Sequence, residues 1–228
     1  QDNFSKIPGA PVAYWVSKQF FDMFLKGTAI AEYAEPRQGM STCDVNRFTR
    51  LWYEVVINNT NIYESKNISK WVKYNKGGAF RRWYGNRESL VKWGFNGSEL
   101  EKNGALLRNR DAYFHSFIAW TKISSSGTGF RIFEDAFLFD GAGGSLFQKS
   151  PAINWLYCLG VLNSCVVTNI LSIISTTLNF NENHIGNIPY IQSNEFIAVD
   201  IVKKAVEVSK ADWNSFETSW DFKKHPLI

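Results

Sequence analysis

The chain has 228 residues, of which 45% are apolar and 16% aromatic; it can bury a substantial core as one large domain, or a domain with an appendage, and this excludes a disordered segment. Its three cysteines, Cys43, Cys158 and Cys165, form no C-x-x-C pair and its three histidines show no ligand spacing, which argues against a disulfide framework or a zinc site and fits a reducing cytoplasm. The net charge of +4 is uneven: residues 66–92 hold Lys66, Lys70, Lys73, Lys76, Arg81, Arg82, Arg87 and Lys92 against Glu88 alone, a local +7 that leaves about −3 elsewhere. Such a block fits a polyanion partner, with a solvated face as the competing reading. Residues 1–8 lack the basic and apolar blocks of a signal peptide, and the missing initiator Met suggests a fragment or a processed chain.

In chain order, residues 11–27 open with Pro11 and close with Lys26-Gly27, which predicts a packing helix whose stripe is Val12, Trp15, Val16, Phe20, Met23 and Phe24. A loop-rich stretch around Gly39 follows. Leu51, Tyr53, Val55 and Ile57 then alternate as a half-buried strand, with Asn58 to Asn61 as a turn. Asn67-Ile-Ser69 matches a glycosylation acceptor, a match without meaning in a cytoplasmic protein. Asn96-Gly97 signals a hairpin. Phe117 to Ile123 and Arg131 to Phe139 read as strands flanking the polar loop Ser124 to Gly129.

From Ile153 the apolar period becomes helical, and residues 150–181 contain no charge. Asn154, Asn163, Ser164, Asn169 and Ser172 make this stretch too polar for a membrane span, so Ile153 to Leu178 reads as one buried internal helix, with Cys158 and Cys165 as core thiols. Phe196 to Ser209 is a mixed-charge helix, and Ala211 to Pro226 carries Trp213, Phe216, Trp220 and Phe222 at irregular spacing. The fold class expected is α+β: a mixed or antiparallel sheet with packing helices over residues 1–192 and a helical, aromatic extension over 193–228.

Two stretches look catalytic. Asp140-Gly-Ala-Gly-Gly144, read as lying between a strand and a helix, is similar to the glycine turn that binds S-adenosylmethionine in methyltransferases. Such a site needs an acidic partner about 20 residues on, and residues 145–181 contain no Asp or Glu. Asn187-Ile-Pro-Tyr190 is similar to the Asn-Pro-Pro-Tyr motif of amino-methyltransferases, but Ile188 replaces the first proline that sets the turn. No G-x-S-x-G elbow, Walker-type loop or carboxylate cluster is present. The chain reads as non-catalytic.

Arg37-Gln-Gly-Met-Ser-Thr-Cys-Asp-Val-Asn-Arg-Phe48 and Tyr74-Asn-Lys-Gly-Gly-Ala-Phe-Arg-Arg-Trp-Tyr-Gly-Asn86 resemble the specificity region of PglX-like adenine-specific DNA methyltransferases of BREX phage-defence systems. The likeness continues through Ile123 to Ser126, Phe139-Asp140, Leu159 to Ser164, Gly186 to Pro189 and Asp212 to Phe222. It extends more loosely to target-recognition domains of bacterial restriction-modification enzymes. Cys43 departs from the pattern, which carries glycine there. The resemblance implies a target-recognition piece of an N6-adenine methyltransferase, itself without cofactor, S-adenosylmethionine belonging to a catalytic domain outside this chain. The implied partner is double-stranded DNA, whose target adenine that domain would flip out.

On this reading Lys73, Lys76, Arg81, Arg82 and Arg87 contact phosphates and Gly77-Gly78 bring backbone N–H groups close to one. Arg37, Gln38, Asp44, Asn46 and Arg47 suit base edges, because Arg pairs with guanine and Asn or Gln with adenine. Ser124, Ser125, Ser126 and Arg131 add contacts from a neighbouring loop. Competing structural roles are core packing for Trp83 and Tyr84 and ion pairs to Asp44 and Glu54 for Arg47 and Arg50. A protein-interaction module that docks subunits of a defence complex through the aromatic tail is the alternative. A complete methyltransferase, which would bind S-adenosylmethionine by itself, is a further rival.

Overall fold

The computed structural model describes residues 7, 17–63, 69–175, 177–192 and 195–228. Helix α1 (Lys18–Lys26) is the described part of the first predicted helix, and Val12, Trp15 and Val16 lie outside the described residues. Its Phe20 packs with Ile7 and Ile170. Gly27 ends it with an N–H donated to the Met23 carbonyl at 2.8 Å, and a Cβ there would stand 2.7 Å from Pro189 Cβ. That close approach lets β1 (Thr28–Ala29) pair antiparallel with β10 (Pro189–Tyr190). The Asn-Ile-Pro-Tyr stretch is thus half of a small two-stranded ribbon.

Two four-stranded sheets form the body. In the first, β2 (Ala34–Arg37), β9 (Gly143–Gln148), β6 (Phe117–Thr121) and β7 (Arg131–Phe133) lie in that order, all antiparallel. In the second, β3 (Thr49–Leu51), β5 (Ser89–Lys92), β4 (Trp71–Asn75) and β8 (Leu138–Phe139) lie in that order, with β4 and β8 parallel. The protein is α+β, with one antiparallel and one mixed sheet.

The run Phe117-Ile-Ala-Trp120 shows how the layers stack, since alternate side chains of a strand point to opposite faces. Phe117 and Ala119 enter a core shared with Val72, Tyr74, Val91 and Phe139 of the second sheet. Ile118 and Trp120 enter a core shared with α4 (Trp155–Leu162), α5 (Cys165–Ile174), α6 (Glu182–Gly186) and α7 (Glu195–Asn214). The first sheet is therefore covered on both faces, by helices on one and by the second sheet on the other. Past Arg37 the chain crosses to the second sheet, where Met40 bridges Asp140. The crossing is so tight that a Cβ on Gly39 would fall 2.1 Å from the Phe139 carbonyl oxygen.

Several local expectations are corrected. The strand expected at 51–57 stops at Leu51 and gives way to 3-10 turns at Trp52–Glu54 and Ile57–Asn59. Asn96-Gly97 opens no hairpin; both residues have positive φ and turn the chain into the short helix α3 (Ser98–Lys102). The stretch after Ile153 is two helices bent by 62°. Asn163 causes the break: its amide accepts from Phe130 N at 3.0 Å and donates to Phe130 O at 2.9 Å, and the Ser164 hydroxyl caps α5. Among the described residues no single helix is long and apolar enough to cross a membrane. Asp140 to Gly144 leads from β8 into β9 rather than into a helix. Cys158 is buried, its thiol pushed up to about 12 by burial, whereas Cys165 is exposed instead of being a core thiol.

The extension packs back on the body. Gly160 lies where a Cβ would meet Val202 of α7 at 2.7 Å, so the glycine sets how near α7 sits to α4. Trp213 is buried and Trp220 packs against the core between the sheets. Two of the tail's four aromatics are thus spent internally, while Phe216 stays exposed.

Candidate nucleic-acid interface

The basic block divides into buried and more exposed cations. Lys73, on β4, is buried with its ammonium 4.9 Å from the Phe137 ring centre, and burial lowers its pKa. Arg87 is 1% exposed and stacks on Tyr84 at 3.9 Å, Phe133 at 4.6 Å and Phe137 at 5.2 Å. It donates to both Glu134 oxygens at 2.6 Å and to Ile132 O at 2.7 Å. Partial burial pushes the Glu134 carboxyl up, but the Arg87 charge and hydrogen bonds outweigh it and hold the carboxyl below its ordinary value. Arg131 is fully buried, and burial pushes it down to about 10. Its guanidinium donates to the Arg81 and Gly129 carbonyls and to Thr121 Oγ1, each at 3.3 Å. These three expected contact residues face the interior.

What Arg131 holds is the loop from Lys76 to Trp83. Trp83 N donates to Phe130 O at 2.7 Å, so the loop's end lies along β7. Gly77 and Gly78 have φ of +82° and +110°, a region that favours glycine. The Gly77 N–H is already given to Asn75 Oδ1 at 3.2 Å, so the glycine serves the turn rather than an open amide. Thr121 Oγ1 donates to Gly78 O, and Asn86 donates to Ala79 O. On this pinned loop the cations are half-buried. Arg81 lies over Trp213 at 4.9 Å and pairs with Asp212 at 3.3 Å, Arg82 lies over exposed Phe80, and Lys76 forms no ion pair to a described carboxylate.

The other predicted residues sit on neighbouring loops. Gln38 packs its amide against Gly141 while Ala142 packs against Gly77. Ser124 and Ser125 lie on the β6–β7 connection, whose Gly129 presses on the Arg81 carbonyl; Ser124 N is tied to Leu178 O at 3.1 Å. Asn46 and Lys76 line one cleft of about 320 Å³. Loops 38–40, 76–82, 121–129 and 141–142 thus form one end of the two sheets.

The stretch Arg37 to Arg47 is held by a partner that sequence reasoning missed. It runs antiparallel beside residues 99–111. Arg37 meets Asp111 at 2.5 Å, Asn109 Nδ2 donates to Gln38 O at 2.9 Å, Ser41 and Leu106 exchange two bonds of 2.9 Å, and Arg47 donates to Asn103 Oδ1 at 2.6 Å. Arg37 also pairs with Glu35 at 2.8 Å, and these hydrogen bonds, Asp111 first, raise its pKa. Asp44 accepts from Arg47 N as the cap of α2 (Val45–Phe48), and Arg47 pairs with Glu99 rather than Asp44. Cys43 has φ +57°, the left-handed region that favours glycine. Arg50 bonds no described carboxylate: its guanidinium donates to the Asn46 and Thr49 carbonyls. Exposed Arg108 was also missed; it forms no hydrogen bond or ion pair to a described residue. The residues 99–111 lie over 50 positions away in sequence from the stretch they hold, so no local signal announces them. Among the described residues no group of three or more His, Cys, Asp or Glu could hold a metal ion.

The chain is thus an α+β segment whose β-strand connections 38–40, 76–82, 121–129 and 141–142 meet at one end of its sheets. Over its whole length it is 40% identical to adenine-specific methyltransferase BrxX of Escherichia coli O9:H4 (strain HS), covering 19% of that protein. It is likewise 32% identical, end to end, to adenine-specific methyltransferase PglX of Lacticaseibacillus casei (strain Zhang), covering 20% of it. The chain spans about a fifth of the length of the curated relatives it matches. No family model matches it.

Proposed function

We propose that this chain is the double-stranded DNA recognition part of an adenine-specific methyltransferase of a BREX-type phage-defence system, with methyl transfer and S-adenosylmethionine assigned to the remaining length of a cytoplasmic polypeptide. One observation carries the reading. In a chain aligned end to end with adenine-specific methyltransferases, Gln38, Lys76, Arg82 and Ser125 sit on loops at one end of the sheets, and Asn46 of α2 lines a cleft with Lys76. Lys76, Arg81 and Arg82 take phosphates, which fix register. Arg37, Gln38, Asn46 and Arg47 face base edges. Lys73, Arg87 and Arg131 act from inside by holding the loops in shape. Residues 1–192 form the recognition body and residues 193–228 a helical extension docked on it.

The test is duplex binding by the full-length protein over a salt series. Log affinity falls with log salt by roughly 0.9 per phosphate contact, and Arg81→Ala with Arg82→Ala flattens that slope. A salt-independent affinity refutes the reading.

A further inference from the structure

Most arginines on this surface are neutralised: Arg37, Arg47, Arg81 and Arg110 each pair with a carboxylate. Two cations facing one cleft are not. Arg50, at the floor of the cleft between α2, β3 and the Lys76 loop, is fixed by the Asn46 and Thr49 carbonyls. Its other guanidinium donors have no bond to a described residue. Lys76 faces it from the loop whose shape Gly77 sets, and neither cation meets a described carboxylate within ion-pair distance. Glu54 is the one described acidic side chain lining the cleft, and it accepts the Leu51 N–H at 2.7 Å. Ser89 and Thr49 add hydroxyls. Two cations with one carboxylate leave the cleft net positive, and its volume of about 320 Å³ admits a tetrahedral oxyanion with its bound water.

We infer that this cleft seats one backbone phosphodiester of the duplex between Arg50 and Lys76, and so fixes the register in which Asn46 and Arg47 of α2 meet the bases. The inference rests on the DNA-recognition reading. The chemistry requires the planar donor fork of arginine on a rigid mount and a point charge from lysine.

The test uses the full-length protein and a random-sequence 30-bp duplex titrated over a salt series. Arg50→Ala with Lys76→Ala lowers the slope of log affinity against log salt by roughly 0.9, a loss of roughly eightfold in affinity at 0.1 M salt. The two single changes are not additive, because both cations serve one phosphate. Glu54→Gln keeps an acceptor for Leu51 N–H and raises affinity, a gain that misfolding does not produce. An unchanged slope in the double variant, with a flattened one for Arg81→Ala/Arg82→Ala, overturns the phosphate seat and leaves the reading intact. A wild-type affinity that ignores salt overturns both. Inorganic phosphate that binds the cleft at micromolar concentration without competing with the duplex shows a free-anion site and also overturns the inference.

Discussion

Arg87→Ala separates an internal arginine from a DNA-contacting one. The guanidinium is 1% exposed, packed on three rings and hydrogen-bonded to Glu134 and to Ile132 O. Removing one partner of a buried pair costs about 3–5 kcal/mol. Glu134, however, is 57% exposed and regains water once released, so the low end applies. What remains is an unmet Ile132 carbonyl, a void among Tyr84, Phe133 and Phe137, and lost cation–π contact, together about 3 kcal/mol. Urea unfolding of the full-length protein, followed by tryptophan fluorescence, measures the loss. The same variant retains the salt slope of duplex binding. The pair also has a pH signature. Glu134 titrates below its ordinary value of 4.5, so its contribution is present above that value and lost as pH falls through the lower folded value. Arg87→Ala removes this acid dependence. A destabilisation below about 1 kcal/mol, or a flattened salt slope at unchanged stability, refutes the internal assignment.

Cys158 gives the alkaline counterpart: its thiol is pushed up from 9.0 to about 12 by burial, so the folded state is fully favoured below 9 and loses stability as pH rises toward 12, by about 1.4 kcal/mol per unit. Cys158→Ala flattens the stability profile between pH 9 and 10, below the ordinary tyrosine value of 10.0; an unaltered profile contradicts it. Gly39→Ala places a Cβ 2.1 Å from the Phe139 carbonyl oxygen, a backbone clash no rotamer relieves, and is expected to cost more than about 3 kcal/mol; a soluble variant with wild-type melting refutes the tight crossing. Asn163→Ala leaves Phe130 N–H and C=O buried without their partners and lowers stability by about 2–4 kcal/mol; a loss under about 1 kcal/mol in urea unfolding would show that Asn163 does not hold the helix break.

Much of the fold was legible in the residues. The apolar run Phe117 to Trp120 reads as a strand, and the uncharged run 150–181 marks burial against it. The helix break at Asn163-Ser164 was less legible, because what interrupts the helix is a hydrogen-bond pair to Phe130, 33 residues upstream. Asn96-Gly97 gave a correct turn with the wrong continuation: both residues take positive φ, but the downstream Ser98–Lys102 forms helix α3 instead of a returning strand. For the candidate site, the sequence located the basic block and the Arg37 to Arg47 stretch, and left their directions open.

By itself, then, the sequence determined the α+β class, the buried run, the position of the glycine turns and the concentration of charge at 66–92. Those properties follow from local periodicity, composition and φ preference, which each residue carries with it. Only the tertiary structure decided that Lys73, Arg87 and Arg131 are buried while Lys76, Arg81 and Arg82 stay half-exposed, and that residues 99–111 brace Arg37 to Arg47. A loop side chain has no period to fix its face. Its direction is set by which distant partners can satisfy its charge, and those partners are chosen only when the sheets pack.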